Sequence, residues 1–356
     1  MRIAAAALLL GAVVLTTSGA PASFLEELHR SEIEQTLRFQ EGGGWAEIMK
    51  WISRLGPGPF IAVFAFLYLS VDSRIATRLI LLYFLSACVR DLLAMSFRSP
   101  RPYWLDSRVT TFTAKPFSAS SYSFPSGHAT VGTTLWVYAA SLVNKPWAWV
   151  AGFSVAILIC ISRVYLGVHY ISDVVAGFLL GLFFVLCFRI AETKLGPIFK
   201  QMSFGKLVAY SALAAFAMIA AAVFVRWAIS NSPDPADWAT FAKRVRTLKG
   251  VAKDAGVVLG LGVGIAMSRR WAPFDASGPW GQRILRTVIA AAVIGPLVWL
   301  FRKKIPQEPE VLGTAIQFSL AMFGAWTLSF LLPWIFLRTG LAPRALDQTP
   351  PSTTSG

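Results

Sequence analysis

Apolar residues in this chain come in a series of long runs, at roughly 56–71, 75–96, 129–144, 147–161, 171–189, 207–229, 251–267, 284–301 and 312–337. A helix that crosses a bilayer needs about 20 predominantly apolar residues, within a range of about 17–25. Several runs qualify directly, and Gly, Ser and Trp extend the shorter ones at their ends. Trp45, Trp51, Trp104, Trp147, Trp149, Trp227, Trp271, Trp280, Trp299 and Trp334 fall at or near run ends, as an aromatic belt would. No period-two alternation of any length appears, and no short internal repeat. The pattern predicts an all-α, polytopic membrane helical bundle.

Composition closes off the other classes. With 55% hydrophobic and 14% charged residues, the chain is too apolar for one soluble domain or for disorder. Its mean hydropathy is +0.58. Three cysteines, Cys88, Cys160 and Cys187, sit in apolar runs, with no C-x-x-C and no Cys/His cluster. They read as packing residues, so neither a disulfide scaffold nor a metal site is expected, and no cofactor is implied. The net charge of +15 sits in short segments between apolar runs. There it would meet lipid head groups or an anionic substrate rather than nucleic acid.

Residues 1–22 read as a signal peptide, with Arg2, an apolar stretch from Ile3 to Leu15 and the small-x-small site Ala20-Pro21-Ala22, or as an uncleaved first membrane helix. On either reading residue 23 emerges on the non-cytoplasmic side. Residues 23–55 carry Leu25, Leu28, Ile33, Leu37, Trp45, Ile48, Met49 and Ile52 at roughly helical spacing. They form either an amphipathic helix on the bilayer surface or a helix packed on the protein's own mouth, with His29 an ordinary solvated histidine. Residues 56–190 would be the core carrying the chemistry, 191–338 additional spans of unknown role, and 339–356 a disordered polar tail. Arg189, Lys194, Lys200 and Lys206 then fall inside, which fits the positive-inside rule, although the second half of the chain does not sharpen it.

Two non-cytoplasmic segments hold most of the unusual polar residues. One runs from Arg98-Ser99-Pro100-Arg101-Pro102-Tyr103-Trp104 to Pro125-Ser126-Gly127-His128; the other is Ser162 to Asp173. A helical hairpin, 129–161, joins them and returns the chain to the face it left, so the two segments should meet. Arg101 and Arg163 offer guanidinium forks suited to a phosphate dianion. Ser126 is placed as an N-cap, and the amides of Gly127 and His128 at a helix start form a ready anion site. His169 and Asp173, four apart, would share a helix face, so the acid could hold one imidazole nitrogen and leave the other nucleophilic. His128 adds a second imidazole for acid–base work. Polar groups of this kind beside membrane spans are costly to keep.

With these motifs the chain resembles the type-2 phosphatidic acid phosphatase superfamily of integral-membrane lipid phosphate phosphatases. That family's motifs are K-x6-R-P, P-S-G-H and S-R-x5-H-x3-D. Pro125–His128 match the second and Ser162–Asp173 the third, while the first is partial: Arg101-Pro102 match, but Ala94 stands where the lysine would be. The likeness covers roughly 45–190 and looks nearest to the sphingosine-phosphate-phosphatase-like and bacterial branches. It implies an acid-phosphatase-like six-helix catalytic core, His169 as the attacking nucleophile, Asp173 orienting it and His128 protonating the leaving oxygen. Arg101, Ser126, Gly127 and Arg163 would hold the phosphoryl oxygens, without a metal. Arg98, about one turn beyond Ala94, is the better-placed substitute for the lysine, ahead of Arg90, whose neighbour Asp91 offers it a partner.

The expected function is hydrolysis of a lipid phosphate or lipid diphosphate at the outer face of an inner membrane. A prenyl diphosphate such as the undecaprenyl carrier, phosphatidic acid and phosphatidylglycerol phosphate all fit. The rival readings are a non-catalytic lipid-phosphate binder or transporter and a lipid phosphotransferase. A haloperoxidase that uses vanadate shares the motifs but is soluble. Membrane lipids and the lipid phosphate are the implied partners; nothing in the sequence names a protein partner.

Overall fold

The computed structural model describes residues 20–41, 43–57, 60–112, 121–303, 305–306 and 308–345. Among them the secondary structure is helical apart from one isolated bridge between Phe274 and Arg344. Nearly all of the segment read as a leader or first helix, residues 1–19, lies outside the described residues, as does the tail from 346.

The helices are α1 (Ala20–Glu41), α2 (Ala46–Arg54), α3 (Phe60–Ser70), α4 (Ser73–Phe97), α5 (Pro102–Leu105), α6 (Gly127–Val143), α7 (Pro146–Tyr165), α8 (Ile171–Gln201), α9 (Phe204–Ala228), α10 (Ala239–Val245), α11 (Lys249–Trp271), α12 (Trp280–Lys303) and α13 (Glu310–Trp326). A five-residue π-helical turn, Thr327–Leu331, leads from α13 into α14 (Leu332–Arg338). Every apolar run of the sequence falls on a helix. Among the described residues, seven stretches are long and apolar enough to cross a membrane, and α3 is a shorter apolar helix. Large apolar side chains such as Leu179, Leu186, Leu213 and Phe216 face outward on α8 and α9, as they would toward lipid.

Local chemistry sets the element ends. Asp72 caps α4, accepting from the amides of Arg74 at 2.7 Å and Ile75 at 3.0 Å. Asn144 ends α6 in a left-handed conformation (φ 50°), and Pro146 opens α7. That tight turn makes α6 and α7 the expected hairpin. α8 closes on α6 through small residues: a Cβ at Gly177 would stand 2.7 Å from the Ser126 carbonyl, and one at Gly181 2.7 Å from that of Thr130.

α4 is the shared wall. It packs against α3 and α6 on one side and against α9 and α11 on the other, while α11 carries α13. One apolar core runs from Phe64 on α3 through Leu82 on α4 and Leu135 on α6 to Leu261 on α11 and Phe336 on α14.

Two boundaries differ from the sequence reading. α8 runs unbroken to Gln201, so the first bundle ends there rather than at 190. Residues 339–345 are not a loose tail. Ala342 is buried, its amide donates to the Phe336 carbonyl, and Ala345 donates to the Pro273 carbonyl. In the N-terminal segment, α1 packs against the start of α8, with His29, Glu32, Ile33 and Thr36 buried along one stripe. α2 instead leaves Ile48 and Trp51 exposed, with Arg54 stacked 4.2 Å from the Trp51 ring.

Candidate active site

Backbone bonds stitch three loop segments together at one end of the first bundle. Ser123 donates its amide to the Ser99 carbonyl at 2.9 Å, and Ser126 donates to the Asp173 carbonyl at 3.0 Å. Arg101, buried at the start of α5, ties them: Nη1 donates to the Val168 carbonyl at 3.0 Å, and Nε and Nη2 donate to the Ser121 carbonyl at 3.1 and 3.0 Å. The two polar segments of the sequence therefore do meet.

His169 sits at the centre, 2% exposed. Its Nδ1 lies 3.2 Å from Asp173 Oδ2. The pairing arises differently from the shared helix face expected: His169 precedes α8, and Asp173 lies in its first turn. Asp173 Oδ2 accepts from the Tyr170 amide at 2.9 Å, closing the helix start, and this turn holds the carboxylate under the imidazole. Ser123 adds its hydroxyl to the same oxygen and lies 3.4 Å from His169 Nδ1. Burial pushes the His169 pKa well down, and the cations of Arg101, Arg163 and Arg90 push it further. The imidazole is thus neutral near pH 7, with Nδ1 engaged and Nε2 left for an incoming group.

Around it lies a set of donors. Ser126 precedes α6 in the N-cap position, but its hydroxyl makes no capping bond; it is buried and unpartnered among the described residues. Arg163 donates Nη1 to the Ser53 hydroxyl at 2.6 Å, while its buried Nε has no partner among the described residues. His128 is the second residue of α6 and lies under the turn after α2, where a Cβ on Gly56 would be 3.1 Å from its Cδ2. Donors left over in a buried, cationic place suit an anion with several acceptor oxygens.

Arg90 belongs to this set, and Arg98 does not. Arg90 donates Nε to the Pro125 carbonyl at 2.9 Å and Nη1 to the Ser121 hydroxyl at 2.8 Å, while also pairing with Asp91. Its guanidinium lies against Gly127. The sequence reading put Arg98 in the lysine's place, and the structure engages its Nη1 elsewhere. Arg98 ends α4 in a left-handed conformation (φ 51°) and donates Nη1 to the Ser232 carbonyl at 2.9 Å, with its buried Nε unpartnered among the described residues. Trp104 likewise leaves the belt, stacking inside on Trp238 at 5.9 Å.

Sequence reading missed Ser123, Glu32 and His29. Glu32 accepts from the Ser172 amide at 3.0 Å and its hydroxyl at 2.8 Å, and burial raises its pKa. His29 is fully buried, not solvated. The one available signal was spacing: His29, Ile33 and Leu37 recur every four residues, so the imidazole shares the stripe of the apolar residues.

The sequence model of the PAP2 superfamily matches residues 75–196. A second, described as the transmembrane extension of PAP2 superfamily phosphatases, matches residues 252–344. An undecaprenyl-diphosphatase from Sulfolobus acidocaldarius is 41% identical over 81 residues, covering 23% of this chain and 37% of the relative. Sphingosine-1-phosphate phosphatase 1 from Rattus norvegicus is 29% identical over 139 residues, covering 36% and 30%. The likeness thus spans about a third of these relatives' own length. A crystal structure of a transmembrane PAP2-type phosphatidylglycerolphosphate phosphatase from Bacillus subtilis matches with a TM-score of 0.41 and 21% identity, over 52% of this chain and 95% of that one.

Proposed function

This chain belongs to the PAP2 superfamily, and from that premise we propose that it is a multi-pass membrane phosphatase acting on a lipid phosphate or lipid diphosphate through a phosphohistidine. The observation that carries the reading is the His169–Asp173 pair, 3.2 Å apart, with its free Nε2 among buried donors. His169 Nε2 attacks phosphorus and the bond from phosphorus to the leaving oxygen breaks. His128 gives that oxygen a proton. Asp173 holds Nδ1–H and balances the charge that develops on the ring. Water then attacks the phosphohistidine, His128 takes its proton, and phosphate leaves with His169 restored.

The phosphoryl oxygens would be met by Arg101, Arg163 and Arg90, by the Ser126 hydroxyl and by the amides opening α6 at Gly127 and His128. Guanidinium and amide donors supply the charge stabilisation a metal ion gives elsewhere. Among the described residues, no three His, Cys, Asp or Glu side chains gather to hold one. The lipid tail would lie in the bilayer beside the bundle, with the head at the mouth formed by α1 and the loops. We place that mouth on the outer side of an inner membrane, in accord with Arg189, Lys194 and Lys200 on the last turns of α8 and Lys206 at the start of α9. The names of the relatives, one for a prenyl diphosphate and one for a sphingoid phosphate, support the substrate class.

The test is phosphate release by detergent-purified protein from a panel of prenyl diphosphates, phosphatidic acid, phosphatidylglycerol phosphate and sphingoid phosphates. Turnover of at least one, abolished by His169→Ala, is the expected result. Binding without release across the panel would favour the binder or transporter instead.

A further inference from the structure

α1 is tied over the site at several points, and its closest approach to the reacting groups is His29. The imidazole is fully buried and stacks on Tyr170, with ring centroids 4.1 Å apart and planes 3° from parallel. Its Nδ1 lies 3.0 Å from the Ser99 hydroxyl. Its Nε2 points at Asp173 Oδ1, 3.6 Å away. Oδ1 is the carboxylate oxygen that the triad leaves over, since His169, Ser123 and the Tyr170 amide all bond Oδ2. His29 Nε2 and Asp173 Oδ1 are both buried, and neither has a hydrogen-bond partner among the described residues. Two such atoms facing each other at slightly more than hydrogen-bond distance are each other's natural partner, because a buried polar atom left unpaired is costly.

We infer that His29 is a positioning residue for the nucleophile: Nε2–H donates to Asp173 Oδ1 and locks the carboxylate so that Oδ2 stays aligned on His169. One tautomer serves both contacts. The Ser99 hydroxyl, 3.0 Å from Nδ1 and 3.5 Å from the Pro100 carbonyl, gives its proton to the nearer acceptor, which leaves the single ring proton on Nε2 for Asp173. Burial keeps the ring neutral, its pKa pushed down to about 4. A neutral donor fixes the acid without cancelling the negative charge that the phosphorylated His169 ring needs beside it. The role is specific to the N-terminal helix, which lies outside both matched family ranges. α1 is held in register for it at two further points. Glu32 bonds the start of α8 at Ser172, and Gln40 donates Nε2 to the carbonyls of Thr110 at 2.8 Å and Tyr165 at 2.9 Å. A helix that looks like a surface appendage thereby supplies the far side of the catalytic acid.

The inference rests on the phosphatase reading, and three substitutions in the full chain separate the two. Phe at position 29 keeps the stack on Tyr170 and removes both ring nitrogens. Gln places its amide nitrogen where Nε2 stands; Asn reaches only as far as Nδ1. On a lipid phosphate that the unaltered protein hydrolyses, His29→Phe should lower kcat about ten- to a hundredfold, as loss of a hydrogen bond to a charged group does. KM should stay within about twofold, because the phosphate cradle is untouched. His29→Gln should recover most of kcat and of the rate of phosphoenzyme formation, and His29→Asn should not. Unchanged kcat in His29→Phe overturns the inference, as does an equal loss in the Gln and Asn variants. If the Phe variant does not fold, the comparison of Gln with Asn decides alone. Absence of turnover in the unaltered protein on every lipid phosphate sinks the phosphatase reading itself.

Discussion

Arg90 and Gly127 touch across the interface of α4 and α6: a Cβ on Gly127 would stand 3.0 Å from the Arg90 guanidinium carbon. The contact places a cation from α4 beside the first amides of α6, where the proposed mechanism puts the phosphoryl group. Arg90→Ala should therefore lower kcat/KM about a hundredfold, on the scale of losing one preorganised oxyanion donor. Arg98→Ala, whose side chain bonds Ser232, should stay within about threefold. Introducing Ala94→Lys into the Arg90→Ala protein should return part of the loss. Steady-state rates on one lipid phosphate check all three, and a severe Arg98 defect beside a silent Arg90 would reverse the assignment.

Gly127→Ala probes the same contact from the other side. The added methyl must displace the Arg90 guanidinium, because the carbon it meets is close and the helix start cannot retreat from α8. The expected result is a fall in kcat/KM with the fold retained, read from turnover beside a thermal melt. A fully active Gly127→Ala protein would show that the cradle tolerates the shift and that Arg90 is not held where it acts.

The two histidines should fail differently. His169 has its Nδ1 anchored on Asp173, so His169→Ala removes the nitrogen that the proposed mechanism bonds to phosphorus. His128 opens α6 and is placed to move a proton, so His128→Ala should slow both steps while still allowing some covalent label to accumulate. Acid-quenched samples with labelled substrate make the distinction. Label retained on His169→Ala protein would reassign the nucleophile. Ser123→Ala, which strips one donor from Asp173 Oδ2, should cost about tenfold in kcat.

What was legible in the sequence was what a short window carries. Each of the nine apolar runs carries helix, although α3 and α6, at 11 and 17 residues, fall short of the other spans. That the segments around His128 and His169 should meet was legible because Pro125–His128 and Ser162–Asp173 are contiguous and a helical hairpin joins them. The rest depended on where side chains turn at element ends. Nothing in the string R-S-P-R says that position 98 adopts a left-handed backbone and that Arg98 bonds Ser232, while Arg90 reaches forward two turns earlier. Nothing local says that the His29 imidazole ends against an acid 144 residues downstream. Its spacing with Ile33 and Leu37 tells which face it shares, not what that face meets.

Activity should survive excess EDTA and be inhibited by orthovanadate. Both follow from a cradle of arginines and amides built for a trigonal-bipyramidal phosphorus, which vanadate imitates. Loss of activity restored only by a divalent cation would contradict the metal-free mechanism. Inhibition that disappears in Arg163→Ala would locate the anion at the proposed cradle.

Stability should depend on pH through His29. Burial lowers its pKa from the ordinary 6.5 to about 4. Above pH 6.5 the ring is neutral folded or unfolded, and its full contribution is present. As pH falls toward 4 the unfolded chain takes up a proton that the folded chain refuses, so stability declines across that window and levels off below it. One group shifted this far contributes up to about 3 kcal/mol. The buried His169 adds a decline of the same sign, so the informative quantity is the difference between the unaltered protein and His29→Gln, which cannot take up that proton. Thermal melts in detergent from pH 7.5 to pH 4 should show a shallower fall for the Gln variant, with the two curves parallel above pH 6.5. Equal slopes across the window would mean that the position 29 ring is protonated as readily in the folded protein as in the unfolded chain. It would then lie open to water rather than sealed between Tyr170 and Asp173.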